Sequence, residues 1–144
     1  MWGTGTPRRE LLHSKDLAEA CIFLMNLDEQ RYAALMPEGE PPLVNIGTGE
    51  DVTIRELAEM VAQDIGFRGE VVFDTTKPDG TPRKLLDVTK VHAVGWHHQI
   101  TLRDGVRQTC QWYLNRSRIA PVRMKAGGPA VAEDSAVGKA SRIA

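Results

Sequence analysis

The chain has few cysteines and no long apolar segment, and both absences exclude classes of protein. Among its 144 residues, no apolar run approaches the roughly 20 that a membrane-spanning helix needs. Two cysteines, Cys21 and Cys110, are too few for a disulfide framework or a cysteine-rich metal site, and we expect both to be reduced packing residues within helices. The first nine residues lack the apolar core of a signal peptide. The expected compartment is therefore the cytoplasm.

An excess of charge of either sign is also missing. The 18 lysines and arginines nearly balance 19 acidic residues, for a formal net charge of −1. Such a balance gives no general attraction to nucleic acid or to an anionic membrane, so neither partner is expected. With 42% hydrophobic and 26% charged residues, the composition is typical of a soluble globular domain.

The motifs of a complete reductase are absent as well. The glycine pairs at 3–5 and 47–49 each lack the third glycine of a dinucleotide-binding loop, which needs all three for turning, phosphate approach and helix packing. Neither Tyr32 nor Tyr113 is followed four residues later by a lysine that could activate it as a proton donor. We therefore predict that this chain alone supplies no cofactor-binding or catalytic residue, and a turn is the simpler interpretation of each glycine pair.

The histidines are not expected to bind a metal or to act in catalysis either. His92, His97 and His98 cluster without the acidic or cysteine pattern of a metal site, so solvated loop histidines are expected and no metal is predicted. His13 has no nameable partner for base catalysis and is expected to form an internal hydrogen bond instead.

Helical and strand patterns alternate along the chain. The first helix is expected to begin near Ser14, whose side chain can cap its free amides, with an apolar face made by Leu17, Cys21, Leu24 and Met25. Thr53 and Glu56 form a capping box at the start of the clearest helix, which ends at Gly66. The other predicted elements are strands at 43–46 and 70–73 and helices at about 88–94 and 102–114. This alternation predicts an α/β fold.

The capping-box helix carries a stripe of apolar residues at helical spacing, which we expect to be buried. Its members are Ile54, Leu57, Ala58, Val61 and Ile65.

Two basic blocks, at residues 2–10 and 77–84, carry the chemistry of a possible phosphate site. In the first, an indole can stack on a base or sugar and the guanidinium of Arg9 can grip phosphate oxygens. In the second, Asp79 can accept hydrogen bonds from hydroxyls beside phosphate-capable cations. On this chemistry alone, solvated loops are favoured over a site, because exposed basic turns are common.

A resemblance carried by three motifs favours a binding site over solvated loops. The runs WGTGTPRRE at 2–10, NIGTG at 45–49 with TIRELA at 53–58, and KPDGTPRKLLD at 77–87 closely resemble the GDP-L-fucose synthase family of extended short-chain dehydrogenase/reductases. The likeness runs in order from residue 2 to about residue 115. Members of that family epimerise C3 and C5 of GDP-4-keto-6-deoxy-D-mannose and then reduce the C4 ketone with NADPH.

The resemblance implies substrate-binding residues at matching positions. Trp2 and Arg9 match a family tryptophan and arginine that contact substrate, and Asp79 matches a substrate-contacting aspartate. Lys84 matches a lysine near the nucleotide diphosphate, and Arg83 is added on its charge alone. The family's catalytic cysteine and histidine have no match in Cys21, Cys110 or His13.

The resemblance also implies an architecture. Residues 1–118 would be the carboxy-terminal, substrate-binding lobe of a partial extended short-chain dehydrogenase/reductase fold, without the Rossmann domain. NADP would bind the missing amino-terminal domain, present in a longer chain or encoded separately, and family members are expected to be homodimers. Residues 119–144 lack apolar periodicity and are expected to form a disordered tail.

Three alternatives remain open on the sequence. The chain is the GDP-sugar-binding part of such an epimerase/reductase, a stand-alone nucleotide-sugar-binding module, or an inactive truncated gene product. Whether it is an enzyme depends on whether the missing cofactor and catalytic residues are supplied by another polypeptide.

Overall fold

The computed structural model describes residues 1–117 and shows five helices and three very short strands over that range. The expected tail at 119–144 lies outside the described residues. None of the helices in residues 1–117 has the length and apolarity to cross a membrane. In chain order the elements are β1 (Arg8–Arg9), α1 (Ser14–Met25), α2 (Glu29–Leu35), β2 (Val52–Thr53), α3 (Ile54–Asp64), β3 (Arg83–Lys84), α4 (Thr89–Ala93) and α5 (Leu102–Ser117).

The three strands form one small sheet in the order β2–β1–β3. Strand β1 pairs antiparallel with β2 and parallel with β3, so that Arg8 lies opposite Arg83 and Arg9 opposite Lys84. A further parallel bridge joins Trp2 to Asp74. The two basic blocks therefore run side by side in the same direction, although 70 residues or so of chain separate them.

Neither predicted strand forms as expected. Within residues 1–117, no backbone hydrogen bond is made by Val44, Asn45 or Ile46, and the strand predicted at 43–46 is irregular chain. The strand predicted at 70–73 is likewise irregular, and pairing with the first residues begins only at Val72 and Asp74. The reason is that a strand needs a neighbouring strand to satisfy its amides, and alternating apolar residues cannot supply one.

Helix α3 follows the prediction at both ends. The Thr53 hydroxyl accepts from the Glu56 amide at 3.1 Å, and the Glu56 carboxylate accepts from the Thr53 amide at 2.7 Å, which completes the capping box. The bond from the Thr53 amide, followed by one that the Thr53 hydroxyl donates to the same carboxylate at 2.8 Å, lowers the pKa of Glu56 below its usual value. Gly66 follows the helix with a φ of +67°, a conformation that glycine adopts without strain.

The apolar stripe of α3 is only half-buried, contrary to expectation, since no residue of this helix is fully buried. It lines an open cleft of about 950 Å³ between α3 and the chain at 67–72. On its other side, Leu57 and Val61 line a second, mostly apolar cavity of about 300 Å³ against α5.

Helix α1 presents a different face to the core than predicted. Of the four predicted residues, Leu17, Cys21 and Met25 are exposed and Leu24 alone packs against the core, while the helix fully buries Asp16 and Ala20. The Asp16 carboxylate accepts hydrogen bonds from the amides of Gln99 and Ile100, at 3.2 and 3.0 Å. Because these bonds hold Asp16 inward, the apolar residues one position later on the helix face outward.

The caps and cysteines give two smaller corrections. The cap of α1 is His13, whose Nδ1 accepts from the Lys15 amide at 3.2 Å, so Ser14 is the first helical residue and not the cap. Cys21 is an exposed free thiol and not a packing residue, whereas Cys110 is half-buried. Burial raises the pKa of the Cys110 thiol, with a smaller contribution from the charge of Asp64.

The core gathers around α1 and α4. Ala20, Val88, Val91 and Trp96 form its buried cluster. The partly buried residues packed against it are Leu12, Phe23, Leu24, Val44 and Ile46. The core thus includes Leu12, in the chain after β1, and Val88, in the chain after β3.

Candidate functional site

The two basic blocks meet through Asp79. Its carboxylate accepts hydrogen bonds from the amide and the hydroxyl of Thr4, at 2.8 and 2.7 Å. The turn that carries Asp79 is therefore held down onto the first block, next to Trp2. Each carboxylate oxygen has lone pairs left for another donor, so these bonds do not prevent Asp79 from accepting a ligand hydroxyl.

Trp2 lies open to solvent at the start of the first block. It is 77% exposed, and the Lys77 ammonium stands 6.0 Å from the centre of its ring. An exposed indole with a cation over it offers a stacking surface for a planar or sugar ring.

Arg9 sits where the turn of the second block returns to the sheet. Its Nη1 donates to the carbonyls of Arg8 and Thr81, at 2.6 and 2.7 Å. The side chain of Lys84 makes no hydrogen bond or ion pair with any of residues 1–117. Arg9 lines a cavity of about 230 Å³ and Lys84 a different one of about 410 Å³, so the structure brings their backbones together but not into one pocket.

Arg83, added from its charge, is occupied by a structural contact. Its Nε donates to Asp51 Oδ2, and Arg8 Nε donates to Asp51 Oδ1 at 2.6 Å. A ligand phosphate would therefore have to compete with a carboxylate for either guanidinium. The structure places Trp2, Arg9, Asp79 and Lys84 along two adjacent segments, and their binding roles stay predictions.

Sequence reasoning missed three carboxylates that join distant parts of the chain. The first is Glu10, which accepts from the amides of Thr48, Gly49 and Leu86 at 2.5, 2.8 and 2.8 Å. The others are Asp16 and Asp51. Nothing in the local sequence pattern marks an acidic residue as the acceptor of hydrogen bonds from distant amides or guanidinium groups. Only Glu10 could have been singled out, because it belongs to the WGTGTPRRE run.

The glycine pairs do not offer a dinucleotide site. A phosphate-binding loop needs free backbone amides, yet the amides of Thr48 and Gly49 already donate to Glu10, and that of Thr4 to Asp79. A carboxylate at each position would also repel a pyrophosphate. The residues of these two loops therefore do not fit NADP.

The histidines form a stacked group without ligand geometry. The rings of His92 and His97 are 4.3 Å apart, and burial, with smaller contributions from His97 and His98, lowers the pKa of His92. His92 and His98 are half-buried rather than solvated, and each keeps one buried ring nitrogen without a partner among residues 1–117. Over the same residues, no cluster of three or more His, Cys, Asp or Glu side chains is arranged to hold a metal.

Comparison with known proteins was made on both sequence and fold. A family model described as the NAD dependent epimerase/dehydratase family matches residues 1–47. The chain is 51% identical over 116 residues to the GDP-L-fucose synthase of Escherichia coli K12, and 53% identical over 114 residues to GDP-L-fucose synthase 1 of Arabidopsis thaliana. These alignments cover 79% of this chain but only 35% and 32% of the two relatives.

The chain is homologous to part of the GDP-L-fucose synthases. It spans about a third of the length of the curated relatives it matches. Its fold matches a structure of a GDP-mannoheptose C4 reductase from Campylobacter jejuni with NADP bound, with a TM-score of 0.65, 44% identity, and coverage of 78% of this chain and 33% of that one. The predicted α/β class is thereby confirmed at the level of this family fold.

The close approach of Asp79 to Gly3, in the first block, gives that glycine a testable role. Gly3 has a φ of +79°, and a side chain there would overlap Asp79 Oδ1. We expect Gly3→Ala to push Asp79 off Thr4, separate the two blocks and lower stability by more than the about 1 kcal/mol of a left-handed alanine. Chemical denaturation of both proteins measures the loss.

The matched control is Gly39→Ala. Gly39 has a similar φ of +86° and no atom within 4 Å of the added carbon, so its alanine has the same backbone strain without the collision. Equal losses for the two variants would contradict a role for Gly3 in seating Asp79.

Proposed function

We propose that residues 1–118 form the carboxy-terminal, GDP-sugar-binding portion of a GDP-L-fucose synthase, which makes GDP-L-fucose from GDP-4-keto-6-deoxy-D-mannose with NADPH. The observation that carries the proposal is the side-by-side alignment of the two basic blocks, from the Trp2–Asp74 bridge to the Arg9–Lys84 pair. These blocks contain the residue types that hold a nucleotide diphosphate: an exposed indole, a guanidinium, an ammonium and a carboxylate.

In this proposal the four predicted residues divide the ligand between them. The Trp2 ring stacks on a ring of the nucleotide sugar, and Arg9 donates to the diphosphate from the groups not used by Arg8 and Thr81. Lys84 adds a second cation, and Asp79 accepts from a hydroxyl or a ring N–H.

Cofactor and chemistry are assigned to another part of the enzyme. NADP is the family's cofactor, and we propose that it binds an amino-terminal Rossmann domain, because in each glycine pair of this chain the amide between the glycines, at Thr4 or Thr48, already donates to a carboxylate. That domain is either upstream in a longer chain or a separate polypeptide.

Two features support a missing neighbour. The outer face of α1 exposes Ile22 and Met25, at 61% and 84%, and the chain at 44–46 leaves its amides unpaired within residues 1–117. An exposed apolar helix face and a segment with unpaired amides are each a surface that another domain would cover. The same surface also fits the alternative of an inactive truncated product, and ligand binding distinguishes the two.

Thermal unfolding with GDP tests the proposal. Ligand at 100 times its dissociation constant is expected to stabilise the chain by about 2.7 kcal/mol, because it binds only the folded state. Trp2→Ala and Arg9→Ala should each remove most of that stabilisation. Arg68→Ala, which removes an exposed cation outside both blocks, serves as the control and should retain it. No shift at millimolar GDP would contradict binding by this chain and favour the inactive product.

A further inference from the structure

Four cations lie on two of the three two-residue strands found within residues 1–117. Strand β1 contains Arg8 and Arg9, and its parallel neighbour β3 contains Arg83 and Lys84. Paired positions on neighbouring strands are only about 4.8 Å apart, so like charges oppose each other at both levels of the ladder. Without a counter-charge this pairing would be unfavourable.

Asp51 supplies that counter-charge to only one of the two opposed pairs, Arg8 and Arg83. Its side chain is 4% exposed, and its two carboxylate oxygens accept one guanidinium each, Arg8 at Oδ1 and Arg83 at Oδ2. Arg8 also donates to the Asp51 backbone carbonyl at 2.9 Å. The hydrogen bond from Arg83, followed by that from Arg8, holds the pKa of Asp51 below its usual value, so this carboxylate is charged at neutral pH.

The second pair of opposed cations, Arg9 and Lys84, has no such counter-charge within residues 1–117. Arg9 bonds only to backbone carbonyls, which do not neutralise it, and Lys84 has no carboxylate partner within residues 1–117. The cations are thus sorted into a pair bound to Asp51 and a pair still available to an anion. The available pair coincides with the two cations that the family resemblance assigns to substrate.

We propose that Asp51 is a positioning residue for the diphosphate of the ligand. It joins β3 to β1 through Arg83 and Arg8, and it thereby sets the separation between Arg9 and Lys84. By neutralising Arg8 and Arg83 it also keeps them from competing for the phosphates. This inference rests on the proposed function, and it adds a residue that touches neither substrate nor cofactor.

The test compares GDP with GMP on the full chain by titration calorimetry. Asp51→Asn keeps the shape but loses the charge, so the joined strands should loosen and the second phosphate should lose its placed cation. We expect the preference for GDP over GMP to fall on the order of tenfold, by analogy with residues that orient the ligands of a metal ion. If Asp51 had a purely structural role, its loss would weaken the binding of both nucleotides equally and leave the ratio of the two affinities unchanged.

Two further variants make the outcome interpretable. Glu40→Gln removes a carboxylate from the 2.6 Å ion pair with Lys90, outside both blocks, and should leave the ratio as it is. Arg83→Gln breaks the bond between Arg83 and Asp51 from the arginine side, and it should lower the preference for GDP over GMP in the same way. Because the Arg83 side chain is 61% exposed, this variant replaces Asp51→Asn if the latter does not fold.

The two hypotheses fail differently. Normal GDP binding by the unmodified chain with an unchanged ratio in Asp51→Asn or Arg83→Gln would overturn the role of Asp51 and leave the proposed function intact. No nucleotide binding by the unmodified chain would overturn both.

Discussion

Replacing Trp96 by alanine is expected to cost about 3–5 kcal/mol of the free energy of unfolding, a large share of the about 5–15 kcal/mol that holds a typical domain together. Trp96 is 7% exposed and belongs to the cluster with Ala20, Val88 and Val91. Removing the indole leaves a cavity that this small core cannot close. The apparent melting temperature should fall by more than about 10 °C.

The control for this prediction is Trp112→Ala. Trp112 is 57% exposed on α5, with the Arg116 guanidinium 5.4 Å from the centre of its ring, so its loss removes the same side chain from a solvated position. Circular dichroism of the two variants on heating gives both values. Comparable destabilisation by the two would contradict the placement of the core.

Replacing Asp16 by alanine should cost nearly as much, for an electrostatic rather than a packing reason. Its side chain is 2% exposed and receives the amides of Gln99 and Ile100. A hydrogen bond to a charged group contributes about 1.5–3 kcal/mol, and this substitution removes two such bonds, both part-buried. Asp16→Asn keeps one accepting oxygen, so its loss should be smaller.

Urea denaturation of the Asp16 variants measures this difference. Glu59→Ala is the matched control, since it removes an exposed carboxylate from another helix. If Asp16→Ala is no worse than Glu59→Ala, the account of why α1 turns its apolar residues outward is wrong.

The helices could be predicted from the sequence wherever the signal is local. The capping box of α3 and the glycine after it depend on residues a few positions apart, and both were found. The same holds for α4 and α5, whose observed bounds, Thr89–Ala93 and Leu102–Ser117, lie close to those expected. Helix α2 was missed although Asp28 caps it by accepting from the Arg31 amide at 2.8 Å.

The strands and the orientation of α1 depend on distant residues and could not be predicted. Arg8, Arg9, Arg83 and Lys84 have no strand pattern, and they pair because the chain brings the two blocks together. The inward face of α1 is set by amides more than 80 residues away, at Gln99 and Ile100. Apolar periodicity carries no information about such a partner.

The candidate site divides in the same way. The motifs led to Trp2, Arg9, Asp79 and Lys84 because a family resemblance supplied their roles, whereas the contacts of Asp79 with Thr4 and of Asp51 with two arginines appear only in the fold. Arg83, chosen for its charge, illustrates the difference, because a charge in a sequence does not reveal whether a counter-charge already occupies it.

The most direct test of the central claim is a map of backbone amide shifts in the ¹⁵N-labelled chain during titration with GDP. The account predicts that the largest shifts fall on residues 2–9 and 77–84 and follow a single-site binding curve, and that Trp2→Ala suppresses them. Shifts confined to other parts of the chain, or none at millimolar GDP, would contradict the claim that these two segments form a nucleotide-sugar site.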